Sequence, residues 1–149
     1  MSALLEHAGS GVRLVVPDGW EPAADGSTGA ALALEPERPG RGFRASLVLT
    51  VESTPLSFRD WQVAADQVLP QLLADYLVLD LERLPVAGLP GGRRLARHVT
   101  AEGADVTMEQ WAVLAGGLGI TLTGSVETLR YDQTADVFTA AASTLVVPA

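Results

Sequence analysis

Residues 92–126 read GRRLARHVTAEGADVTMEQWAVLAGGLGITLTGSV, and the fold turns on this stretch. From Gly92 to Ala101, Leu95 and Val99 alternate with Arg94, His98 and Thr100, the two-residue period of a half-buried strand. Glu102-Gly103-Ala104-Asp105 makes a tight connection into a second strand, Val106 to Ala115. Gly116-Gly117 makes the next hairpin into Leu118 to Val126, where Ile120, Leu122 and Val126 alternate with Thr121, Thr123 and Ser125. Two hairpins in succession predict a three-stranded antiparallel meander.

Working outward, GLPGG at 88–92 reads as a turn, preceded by an alternating strand from Tyr76 to Pro85. Before that the period changes. Phe58, Trp61, Ala65, Val68, Leu69 and Leu72 recur at three- and four-residue spacings, one apolar stripe on a helix over Ser57–Leu73. Ser57 caps it, Asp60 completes a weak capping box, and Pro70 should kink or end it. At 1.5 Å per residue that helix is about 24 Å long, enough to cross several strands. Further upstream lie strands at Phe43–Glu52, Ala31–Pro36 and Val12–Pro17, the last closed by an Asp18-Gly19 turn. Downstream, Asp132 opens a final helix. Hairpins dominate over crossovers, so the class is α+β: an antiparallel sheet of about six strands flanked by helices. Residues 1–10 read as a flexible tail and 11–149 as a single domain.

Composition narrows the function. The chain has 149 residues, and all ten basic residues are arginines. Against eighteen acids they leave a net charge of −8, which argues against a nucleic-acid surface, since phosphates need a clustered positive field. With no cysteine, thiol catalysis, iron–sulfur clusters and cysteine zinc sites are excluded. Met1 to Ser10 lack the basic and apolar regions of a secretory signal, and no apolar run approaches a membrane span, so a cytoplasmic location without stable membrane insertion is expected.

The strand VRLVVP with its turn and Trp20, the helix after STPLSFRDW, and the meander with Gln110 in its second strand together resemble the Mog/PsbP-like superfamily. The likeness covers about residues 11–147. Bacterial DcrB-like proteins and the Eag-type chaperones of type VI secretion effectors look similar too. The resemblance implies an α/β/α sandwich and an accessory, partner-binding role without a shared active site.

Trp61 lies on the helix stripe and reads as core, and Trp20 as a lid packed over the sheet. Trp111 shares a strand face with Thr107, Glu109 and Val113; a covered face makes it core, an open one makes it an interface anchor. His98 lacks a nucleophile elbow to serve, and with Glu109 it forms the single acid–base pair that an enzyme could use, provided both share one face. Glu102, Asp105 and Glu109 match no metal-binding spacing, so no metal or cofactor is expected. The glycine groups precede strands rather than helices and therefore read as turns, not phosphate cradles. Arg38, Arg41 and Arg44, and again Arg93, Arg94 and Arg97, form either a cationic patch or ordinary solubilising positions in a lysine-free chain.

The reading is therefore a non-enzymatic protein-binding or chaperone-like module that engages another protein, or an apolar segment of one, through Arg94, His98, Glu109 and Trp111. A homodimer is compatible with it. The alternative is a small-molecule or lipid binder with a cavity between helix and sheet.

Overall fold

A computed structural model describes residues 3–24, 29–37, 39–40 and 42–148. Strands β1 (Leu4–Glu6) and β2 (Arg13–Val15) form a small antiparallel ribbon. Seven strands build the main sheet: β3 (Glu21–Ala24), β4 (Ala31–Leu34), β5 (Ser46–Ser53), β6 (Ala74–Val86), β7 (Leu89–Val99), β8 (Asp105–Ala115) and β9 (Leu118–Glu127). Their spatial order is β3-β4-β5-β9-β8-β7-β6, antiparallel throughout. Helix α1 (Phe58–Leu72) connects β5 to the far edge, and α2 (Tyr131–Ser143) follows a 3-10 turn at Thr128–Arg130.

The meander is longer by one strand than its sequence period suggests. The turn lies at Ala87-Gly88 rather than across GLPGG, because both residues take positive φ (52° and 77°), the primed geometry that matches strand twist. Leu89 and Pro90 thereby join β7, and β6 pairs with β7 from Ala74 to Val86 with irregularities near Leu77 and Asp80. Ser57 caps α1 as expected, its hydroxyl accepting from the Asp60 amide at 3.1 Å. Pro70 sits in the last turn, and the helix ends two residues later.

Register divides the sheet into two unlike faces. Trp111 stands opposite Leu122, which stands opposite Leu49, which stands opposite Ala31; this is the inner face. Beneath it α2 and the β1–β2 ribbon bury Phe138, Ala141, Leu145, Leu5, Val12 and Leu14 in one core cluster. Gly124 permits the contact, since a Cβ there would meet the Phe138 ring at 2.8 Å. The segment expected as a tail thus contains β1, whose Leu5 is buried in that core while its backbone pairs with β2. Trp20 meets Phe138 edge-on at 6.5 Å, the lid arrangement.

The outer face carries Gln110, Thr123 and Val48 in register, with Ala112 and Thr121 one pair further along. Helix α1 lies on this side. A Cβ on Gly119 would meet the Trp61 indole at 2.6 Å, so glycine there lets the helix seat. Helices on opposite faces complete the sandwich, but its two halves are unequally filled. Among the described residues, no helix is long and apolar enough to cross a membrane.

Candidate functional site

Helix α1 is anchored at one end and stands off the sheet at the other. Near its start, Trp61 donates Nε1–H to Glu52 at 2.9 Å and meets Phe58 edge-on at 6.1 Å. The Arg83 guanidinium covers the Phe58 ring at 5.6 Å. In mid-helix, Asp66 pairs with Arg94 at 2.6 Å. Beyond that point the predicted stripe is not buried. Trp61 is its one fully buried member, whereas Val68 is exposed and Leu72 is 72% exposed.

The gap leaves a hollow on each side of α1. One, about 240 Å³, is walled by Trp61, Ala65, Val68 and Leu69 and floored by Gln110 and Thr121. The other, about 170 Å³, is lined by Phe58, Gln62, Leu81, Arg83 and Arg94. Gln62, Gln110 and Ala112 border both, so the two read as one groove crossed by the helix. Its floor mixes apolar and hydrogen-bonding groups; Gln110 donates to Thr123 Oγ1 at 3.1 Å, and the Thr50, Thr121 and Thr123 side chains continue along the uncovered strip.

The four residues expected to share a contact site are not assembled. Arg94 pairs with Gln110 across the strands and borders the groove, but it is 3% exposed and bound to Asp66, Tyr76 (3.2 Å) and Gln62 (3.5 Å). It positions α1 rather than waiting for a partner. His98 lies on the same outer face and borders neither hollow; its Nδ1 is buried with no hydrogen-bond partner among the described residues. Glu109 and Trp111 point the other way, 2% and 4% exposed beneath α2. The covered-face reading of Trp111 is therefore the correct one. The reason is parity: positions 109 and 111 alternate with 110, and α2 with the ribbon covers the odd set.

Glu109 is structural. Its carboxylate takes the Arg93 Nε–H and accepts from the Tyr131 hydroxyl at 3.0 Å, tying β7, β8 and α2 together. Burial, then the Glu109 charge, pushes the Tyr131 phenol above its ordinary range. With His98 on the outer face and Glu109 on the inner, these two residues do not form an acid–base pair. Nor do Arg44, Arg93, Arg94 and Arg97, the described members of the two arginine groups, form a free patch. Arg93 also meets Asp80 and Glu82 at 3.2 and 3.6 Å, and Arg97 binds Asp105. Arg44 donates to the Glu35 carbonyl at 2.7 Å; Arg38 and Arg41 lie outside the described residues. Another hollow, about 300 Å³, runs beside Glu35, Arg44, Glu127 and Arg130, but Arg130 and Glu35 already bond each other in a two-point pair at 2.9 and 3.0 Å.

Sequence reasoning missed Gln110, Thr121, Val68 and Leu69 as one surface. The stripe on α1 read as core, and nothing local marks where a helix lifts away from its sheet.

No protein-family model matches the chain, and no curated protein matches it. Solved structures do. PA94 of Pseudomonas aeruginosa, a protein of unknown function, matches with a TM-score of 0.71 at 16% identity, over 99% of this chain and 98% of that one. The cyanobacterial PsbP of Synechocystis sp. PCC 6803 matches with a TM-score of 0.68 at 15% identity, over 99% and 92%. The Ran-binding protein Mog1p of Saccharomyces cerevisiae matches with a TM-score of 0.61 at 13% identity, over 99% and 85%. The chain has the Mog/PsbP-like fold, as its pattern of strands and helices implied.

Proposed function

We propose that this chain is a non-enzymatic, chaperone-like accessory module that holds an apolar segment of another protein in the groove between α1 and the outer sheet face. One observation carries the reading: the apolar stripe of α1 faces a floor of Gln110 and Thr121 without closing on it. An uncovered apolar wall beside hydrogen-bonding side chains suits a segment that brings both side chains and backbone polar groups. That Mog1p binds Ran supports protein partnership on this fold in general terms. The acidic balance favours a protein partner over nucleic acid, and a cytoplasmic site of action accords with the reading.

The second reading, a lipid or small-molecule binder, is favoured less, because the groove lies open on both sides of α1 and its floor carries Gln110 and Thr121, whereas pockets for such ligands are enclosed and mostly apolar. The test compares wild type with Val68→Asp and Thr121→Arg as bait in native lysate, read by mass spectrometry. Proteins retained by wild type should be lost from both variants, with melting temperatures unchanged because both sites are at least partly exposed. Identical retained sets would end the groove proposal. A small ligand co-purifying with wild type in native mass spectrometry would favour the second reading.

A further inference from the structure

The smaller hollow beside α1, about 170 Å³, is built by three elements: Phe58 and Gln62 come from α1, Leu81 and Arg83 from β6, Arg94 from β7. Gly92 of β7 lets them meet, since a Cβ there would come within 3.1 Å of the Phe58 ring. That ring stands edge-on to buried Trp61 and carries the Arg83 guanidinium over its face at 5.6 Å. The charged side chains that border the hollow are paired, with one exception. Arg94 holds Asp66 at 2.6 Å, and Arg93 serves three carboxylates, those of Glu109, Asp80 and Glu82. Glu82 and Arg83 are successive residues of a strand, so their side chains point to opposite faces; Glu82 meets Arg93 on the inner one. Arg83 is the exception. Its partner among the described residues is the Phe58 ring, and none of its N–H donors meets an acceptor there.

We infer that Arg83 makes this hollow a carboxylate subsite of the groove, so that the apolar segment it holds carries an acid, at its C-terminus or on a side chain. The inference rests on the groove reading above and adds the chemistry of the occupant. A cation–π contact engages the charge of a guanidinium and leaves its N–H fork free for a two-point pair with a carboxylate. The ring also fixes where the fork sits, which removes part of the ordering cost that a mobile surface arginine meets on pairing. At the base of the hollow Arg94 is 3% exposed and its Nε lacks an acceptor, so the polar groups there are short of acceptors, not of donors. Phe58, Leu81 and Ala112 supply the apolar walls that the neighbours of the acid require.

The test measures fluorescence anisotropy of a dansyl-labelled hexapeptide of alternating leucine and alanine. It is made as the C-terminal acid, as the C-terminal amide, and as the amide with one central aspartate. Wild type should bind at least one carboxylate-bearing form about tenfold more tightly than the plain amide, as a charge-assisted pair predicts. Which form gains identifies the source of the carboxylate. Arg83→Gln should bring all three forms to the affinity of the plain amide, with an unchanged circular dichroism spectrum because the side chain is exposed. Arg83→Lys keeps the charge but not the fork, and should retain only part of the preference. Val68→Asn, in the other hollow, should weaken all three forms alike and so reports on the groove itself. Equal binding of acid and amide by wild type, or a preference that survives Arg83→Gln, overturns the inference. Equal binding that Val68→Asn still weakens would leave the groove reading standing, whereas failure of every form to bind would overturn both.

Discussion

His98 is the residue whose surroundings most clearly contradict its place in the sequence. An alternating strand puts it among Arg94 and Thr100 as a surface group, yet its Nδ1 is buried and unsatisfied among the described residues. Burial holds its imidazole below the ordinary range, with a backbone hydrogen bond at Val99 and then the Asp105 charge only partly offsetting this. The sign of the pH effect follows. Because the folded value is depressed, the unfolded chain binds more protons as pH falls below the ordinary ~6.5, so His98's contribution is complete above that value and is lost as pH drops toward the folded one. Urea midpoints should therefore fall between about pH 7 and 5 in wild type, and His98→Gln should flatten that slope. An unaltered slope in the variant would assign it to another group. Glu109 teaches the same lesson: the residue type suggested chemistry, but Arg93 and the Tyr131 hydroxyl occupy its oxygens.

Among the elements, the β6–β7 hairpin depends on a turn that its residues suit imperfectly. Gly88 takes φ of 77° at no steric cost, but Ala87 adopts 52° with a Cβ that clashes there. Ala87→Gly should raise stability by about 0.5–1 kcal/mol, since relief of strain exceeds the added unfolded-state freedom. Thermal melting checks it, and a lower melting point would show that Ala87 contributes packing that outweighs the strain. The strand periods were legible because alternation is local: every second side chain points the same way whatever covers it. The turn differs from its expected place because GLPGG holds three glycines and a proline, and only strand pairing selects which residues bend.

At the scale of the whole molecule the sandwich is lopsided, with α2 and the ribbon filling the inner face while α1 closes only part of the outer. Stability should be distributed accordingly. Leu5→Ala should cost about 2–4 kcal/mol, because Leu5 is buried in the inner core. Val68→Ser, on the predicted core stripe of α1, should change stability by no more than about 0.5 kcal/mol. Urea denaturation of the two variants measures the difference. Equal losses would mean that α1 seats as firmly as α2. The expected difference is invisible to sequence, where Leu5 sits in an apparent tail and Val68 in an amphipathic helix.

Periodicity, turn residues and caps by themselves determined the antiparallel α+β class and the helix beginning at Ser57, because each rests on interactions within a few residues. They also assigned Gln110 and Trp111 to opposite faces. Which face is covered, and how far α1 lifts from the other, was decided only in three dimensions. Those outcomes depend on contacts between residues far apart in the chain, such as Gly124 with Phe138 and Arg94 with Asp66, and no local pattern encodes them.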